Sequence, residues 1–212
     1  MGRIKKGVLG GFSGKVGNVV GSSWKGIDYI RSLPSSVKNP RTEGQMAQRT
    51  KFSVVMEFLR PIIPYLNVGF KPYANRQSAY NAAMSYNVNN AVVGDFPDMS
   101  VDYSKVLVSK GSLLGAEDAS ATAAEGKITF KWADNSDVND AKATDLAMPL
   151  VYNSAKDQAI FKTNGAERSA GTDVLTVPDS WLDDEAELYL GFVSKDGSLV
   201  ATSAYLGRIM IV

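Results

Sequence analysis

Neither cysteine nor histidine occurs anywhere in the 212 residues of this chain. The first absence excludes disulfides, thiolate nucleophiles and cysteine-bearing zinc sites. The second removes imidazole acid–base catalysis and every Ser-His-Asp triad. No apolar run reaches about 18 residues, so no transmembrane helix is expected. No secretory signal is expected either, since MGRIKKGVLGGFSGKVG starts basic but has no uninterrupted apolar core followed by a small-residue cleavage site. The expectation is synthesis in the cytoplasm with no signal peptide; a location outside the cell would need a dedicated exporter, lysis or a virus particle. The chemistry left open is that of carboxylates, lysine, serine–lysine pairs and oxygen-ligated magnesium or calcium.

What is present is the composition of a globular protein, 44% hydrophobic and 21% charged. A chain of this length buries roughly 70% of its unfolded surface and needs no staple. The net charge of +1 conceals an asymmetry. Residues 1–51 hold ten lysines and arginines against Asp28 and Glu43, a net of +8; residues 101–212 hold ten against seventeen acids, a net of −7. A basic end on a body of opposite sign suggests an interaction arm.

Eight of the nineteen glycines fall in residues 1–38. GVLGGFSGKVGNVVGSSWKG, residues 7–26, has the texture of a phosphate loop and fails as one. A Walker loop needs G-x-x-x-x-G-K-[ST], but Gly14-Lys15 is followed by Val16 and the first glycine is replaced by Leu9. No two glycines here have the G-x-G spacing of a dinucleotide fingerprint. The stretch therefore reads as an extended arm in which glycine permits bulges and close backbone approach. DNSDVND at 134–140 resembles a calcium loop, but it has Val138 at position 5, Asn139 where the turn glycine belongs and Lys142 at position 9. Asp183, Asp184, Glu185 and Glu187 are crowded into one strand entry, whereas a glycosidase pair must flank a cleft. No cofactor, no metal and no enzymatic activity are expected.

Three zones follow. Residues 1–41 read as a basic glycine-rich arm with a hairpin: Lys15–Ser23, a turn through Trp24, Lys25 and Gly26, then IDYIRSL. Residues 42–100 read as a helical hairpin. It begins at the Thr42/Gln45 capping-box spacing, carries the stripe Met46, Phe52, Val55, Met56, Leu59, is interrupted by Pro61 and Pro64, and resumes over Ala74 to about Val93 with Tyr80, Ala83, Met84 and Val88 inward. Residues 101–212 carry YSKVLVS, KITFKW, LAMPLVYN, QAIFKT, DVLTVP, AELYLGFVS and VATSAYLGRIMIV between turn clusters. Seven strands at this spacing predict an antiparallel β-sandwich of immunoglobulin or fibronectin III type, with Trp132, Val151, Phe161, Leu190 and Phe192 in its core. The predicted class is α+β, and this last zone is expected to fold alone.

Glycine-rich chain buries too little of its own surface to offset its ordering entropy, so Phe12, Val16, Val19, Val20 and Trp24 are expected to gain burial on a partner. Lys15, Lys25, Tyr29 and Arg31 complete that candidate assembly interface. The acidic third zone offers these cations a protein partner in another copy of the chain, or in other proteins of the same assembly. Basic residues interleaved with aromatics suit nucleic acid as well, which is the alternative reading.

FSGKVGNVVGSSWKG, NPRTEGQMAQRTKF, NAAMSYNVNNAV, LVYN, ERSAG and SAYLGRI together carry a resemblance. Over nearly its whole length the chain resembles an uncharacterised family of similar-sized proteins from Bacteroidota and their mobile elements, known only as a domain of unknown function. The arm followed by NPRT-x-x-Q-x-x-x-R more loosely resembles small proteins encoded among phage structural genes. That likeness implies a virion or filament component and supplies no site residues.

Overall fold

The computed structural model describes residues 2–4, 7, 10–24, 26–34, 36, 41–75 and 77–212. They divide into two compact units, Met1–Thr42 and Glu43–Val212.

The first unit is an antiparallel sheet in the order β1 (Arg3–Ile4), β2 (Phe12–Val16), β3 (Val19–Trp24), β4 (Ile27–Ser32). The single strand expected over Lys15–Ser23 is instead two. Gly17, at φ +59°, opens a two-residue turn with Asn18 that places Val16 opposite Val19. A glycine with positive φ at the first position of such a turn matches the twist of the flanking strands. Gly26, at φ +84°, lies in the turn that leads into β4. Among the described residues of this unit only Gly21 is buried. The ring of Phe12 lies against it, so that a Cβ on Gly21 would meet a ring carbon at 2.6 Å.

The second unit opens with α1 (Glu43–Leu59), directly after Thr42 as the capping-box spacing requires. A 3-10 turn (Arg60–Ile62) carrying Pro61 follows, and then α2 (Ile63–Gly69) carrying Pro64. Each proline sits near the start of its segment, where a missing N–H breaks no helical bond. α3 spans Ala79–Asn90 and is capped by Ser78, which accepts from the Asn81 amide at 3.1 Å. It starts five residues later than expected, because Lys71–Tyr73 forms a 3-10 turn. A short ladder joins β5 (Val92–Val93) to β6 (Ser100–Val101).

Seven strands complete the unit: β7 (Glu117–Ala124), β8 (Lys127–Ala133), β9 (Leu146–Asn153), β10 (Gln158–Phe161), β11 (Thr172–Thr176), β12 (Glu185–Val193) and β13 (Ala204–Met210). They form two antiparallel sheets, β11-β8-β7 and β10-β9-β12-β13. YSKVLVS is not one of them, since Tyr103–Lys105 is a 3-10 turn. The strand in its place is EDASATAA, whose inward positions are alanines and give little hydrophobic contrast.

The four-stranded sheet is buried on both faces. Val151, Leu188, Leu190 and Phe192 pack with Ile128, Phe130, Trp132 and Leu175 of the other sheet. The alternate residues Met148, Leu150, Tyr152 and Tyr189 pack with Phe58, Leu59, Tyr65 and Leu66 of the helical segment. Phe58 meets Tyr152 edge to face with centroids 4.7 Å apart, and the Tyr65 hydroxyl donates to the Met148 carbonyl at 2.9 Å. The fold is mixed α+β, with one helical region and several antiparallel sheets. The domain boundary expected near residue 100 lies inside this shared core.

Candidate functional site

The register of the arm sheet sorts the predicted interface residues. Directly opposed residues of antiparallel strands share a face, and successive residues alternate. The pairs Lys15↔Val20, Val20↔Arg31, Ser22↔Tyr29 and Trp24↔Ile27 thus place Lys15, Val20, Trp24, Tyr29 and Arg31 on one face, together with Ser22 and Ile27. Val16 and Val19 oppose each other on the other face, and Phe12 covers that side over Gly21. The interface expected as one set is therefore divided, five residues from three. Lys25 lies outside the described residues.

The face carrying the cations is exposed. Trp24 is 63% accessible, Ile27 68% and Tyr29 44%, and these three line one shallow apolar depression. Lys15 and Arg31 are exposed on the same face. Sequence reasoning omitted Ile27 and Ile30, both more than 60% accessible. The period-2 alternation of Ile27, Tyr29 and Arg31 in IDYIRSL was the signal for the first of them.

The acidic clusters of the second unit have structural partners. Glu187, 1% exposed, accepts from Arg208 Nε at 2.7 Å and from the Tyr205 hydroxyl at 2.6 Å. Burial, followed by that hydrogen bond and the nearby carboxylate charge, pushes Tyr205 up to about 12. Asp184 pairs with Lys156 and accepts from Asn153, and both contacts hold its carboxyl below the usual range. In the 134–140 loop, Asp134 accepts from the Ser136 amide while Asn135 turns inward to Arg168 Nη1 at 2.6 Å. Arg168 is itself fully buried. Its guanidinium meets Asp145 at 3.2 Å and the carbonyls of Leu114 and Gly115, and stacks 4.0 Å from the Phe192 centroid. These groups tie loops to the strands of the second unit. Among the described residues no group of three or more acids is placed to hold a metal ion, and no helix is long and apolar enough to cross a membrane.

Fold and surface together define a mixed α+β protein that presents a cationic, aromatic sheet face on a unit separate from its core-bearing body. The chain belongs to a family of unknown function, DUF6266, whose model matches residues 11–207 and so takes in β2–β4 as well as nearly all of the second unit. No curated protein matches the sequence.

Proposed function

We propose that the protein is a non-enzymatic structural subunit that assembles with copies of itself head to tail. The basic face of the arm sheet docks on the acidic second unit of the next copy, forming a filament, tube or virion component. One observation carries this reading. Among the described residues this four-stranded sheet buries none of its own apolar side chains, while it displays Trp24, Ile27 and Tyr29 on the same face as Lys15 and Arg31. A sheet needs an apolar face packed on something to be stable in water, and the −7 charge of residues 101–212 complements the arm. Heterologous contacts close into rings or continue as filaments.

Two finer elements belong to the same proposal. We read the three strands β11-β8-β7 and the four strands β10-β9-β12-β13 as the two sheets of a fibronectin III-like sandwich. Such modules recur in many cell-surface proteins, and by analogy this one suits an assembled protein. The likeness of the arm and of NPRT-x-x-Q to phage structural-gene products, and an origin in Bacteroidota, favour a virion or mobile-element context.

Cations beside stackable rings on one sheet face also favour a second reading, binding of single-stranded nucleic acid. Light scattering of nuclease-treated protein separates the two. Assembly predicts a multimer without absorbance excess at 260 nm, whose mass falls at low salt in the K15E/R31E double variant and differs less from wild type at high salt. A monomeric wild type that retains nucleic acid until nuclease treatment supports the second reading and sinks the first.

A further inference from the structure

We infer that β4 pairs edge to edge with β4 of a second copy, antiparallel about a two-fold axis, with Ile30 opposite Ile30. This contact goes beyond the head-to-tail docking: it uses the edge of the arm sheet and leaves its basic face uncovered.

Proteins blunt exposed sheet edges with short strands, bulges, prolines or lysines. The second unit does so. Its β7 edge is bulged between Glu117 and Ser120, with Asp118 at φ +48°. The β12–β13 ladder is irregular at Leu188/Tyr189, and Gly207 on β13 has φ +95°. β10 has only four residues, and Lys162 donates to the Val174 carbonyl on β11 at 2.8 Å. β4 is neither short nor bulged, and the only charges on it are Asp28 and Arg31. Its six residues, IDYIRS, are all exposed, pair with β3 in unbroken register, and include neither lysine nor proline. Among the described residues no strand lies on its outer side.

The backbone fixes which groups face that edge. The Leu33 amide donates to the Asn18 carbonyl at 2.6 Å, so the Leu33 backbone bonds toward the β3 side of the sheet. In an antiparallel ladder hydrogen bonding alternates along the strand. Arg31, Tyr29 and Ile27 therefore bond to β3, and Asp28, Ile30 and Ser32 present N–H and C=O outward. A two-fold axis at Ile30 opposes all three outward residues: Ile30 with Ile30, and Asp28 with Ser32 on either side. Each such pair exchanges both its hydrogen bonds. Centring on Tyr29 instead would set Ser32 against Gly26, which lies in the turn.

The side chains fit the same register, which is why the occupant is a second copy. Tyr29 of each copy lies opposite Arg31 of the other, a cation over a ring, and Ile27 lies opposite the 41% exposed Leu33. On the reverse face Asp28 lies opposite Ser32, its carboxylate turned toward Gly11, and the two Asp28 charges stay apart.

Because the chain has no cysteine, single-cysteine variants report this contact without background. Ile30 is 64% exposed, so Ile30→Cys does not threaten the fold. Under mild oxidation of the full chain, Ile30→Cys is expected to form covalent dimer about tenfold faster than Tyr29→Cys or Arg31→Cys, whose sulfurs lie on diagonals outside bonding reach. Mixing Tyr29→Cys with Arg31→Cys is expected to restore rapid cross-linking as the mixed dimer. The same rank order is expected with Lys15→Glu added, which weakens head-to-tail docking alone. Equal rates at all three positions, fastest dimer from Tyr29→Cys, no dimer, or loss of the Ile30→Cys dimer on adding Lys15→Glu each overturn the inference.

Discussion

The chain contains two four-stranded antiparallel sheets that have opposite relations to solvent. In β10-β9-β12-β13, Leu150, Val151, Tyr189 and Leu190 are all fully buried, with one set of alternate residues against the second sheet and the other against the helices. In β1-β2-β3-β4 no apolar side chain is buried among the described residues, and every residue of β4 is exposed. Full burial of a leucine or phenylalanine contributes roughly 1.5–3 kcal/mol. The central sheet collects that contribution many times over, and the arm sheet does not collect it once. Backbone pairing alone is a weak source of stability, so under the proposed assembly the arm draws its order from what it docks on, while the body carries its own core.

The largest test of this difference is to separate the regions. Residues 43–212 are expected to melt cooperatively with the transition of the full chain and to run as a single copy. Residues 1–42 alone are expected to show no cooperative melt by circular dichroism. A cut at residue 100 instead strips the helices from Met148, Leu150, Tyr152 and Tyr189, and fragment 101–212 is expected to aggregate or melt well below 43–212. A multimeric 43–212 would show that assembly does not use the arm.

Next in size is the buried cation of the body. Arg168→Met leaves Asp145 buried without its partner, removes the donors to Leu114, Gly115 and Asn135, and is expected to cost about 3–5 kcal/mol. Denaturant unfolding reads this directly. A loss under about 1 kcal/mol would mean that water or backbone already satisfies the carboxylate.

Smaller effects come from single polar contacts. Tyr65→Phe removes a second donor from the Met148 carbonyl, which still faces β12 in the ladder, and is expected to cost about 0.5–1.5 kcal/mol, whereas no pH dependence is expected from a group whose hydroxyl burial holds far above its usual range. Asp184 behaves differently. Its folded pKa is depressed by Lys156 and then Asn153, so its contribution is complete above the unfolded value near 3.9 and disappears as pH falls through the lower folded value. Asp184→Asn should melt slightly below wild type at neutral pH, and the gap should close on acidification through that window. A gap that widens in acid would reverse the sign of the argument.

The legible parts of the fold were those with contrast in the sequence. Thr42 and Gln45 marked the start of α1, and LAMPLVYN and AELYLGFV announced strands through unbroken apolar runs. Those same runs held the clue that both faces of the central sheet are covered, since a strand exposed on one side alternates. EDASATAA stayed hidden because its inward alanines barely differ from its outward residues. Of the candidate interface, the cations and rings were visible as residue types. Their division between faces was not, because it depends on the Gly17–Asn18 turn, and a one-residue change of register inverts every side chain.

The smallest expected change is also the sharpest on the arm. Ile27→Ser replaces a large apolar residue that is 68% exposed, on a strand that no layer covers among the described residues. In the central sheet a comparable truncation, such as Leu190→Ala, would cost about 2–5 kcal/mol. On β4 nothing is lost from a core, so the main melting transition should shift by no more than the roughly 0.5 kcal/mol typical of surface positions. Assembly should weaken all the same, because Ile27 lies beside Trp24 and Tyr29 on the proposed docking face. Calorimetry and light scattering on one sample decide it. Unchanged melting with reduced mass sharpens the contrast between the two sheets, while a large drop in melting temperature would mean that the arm face is already packed against something within the chain.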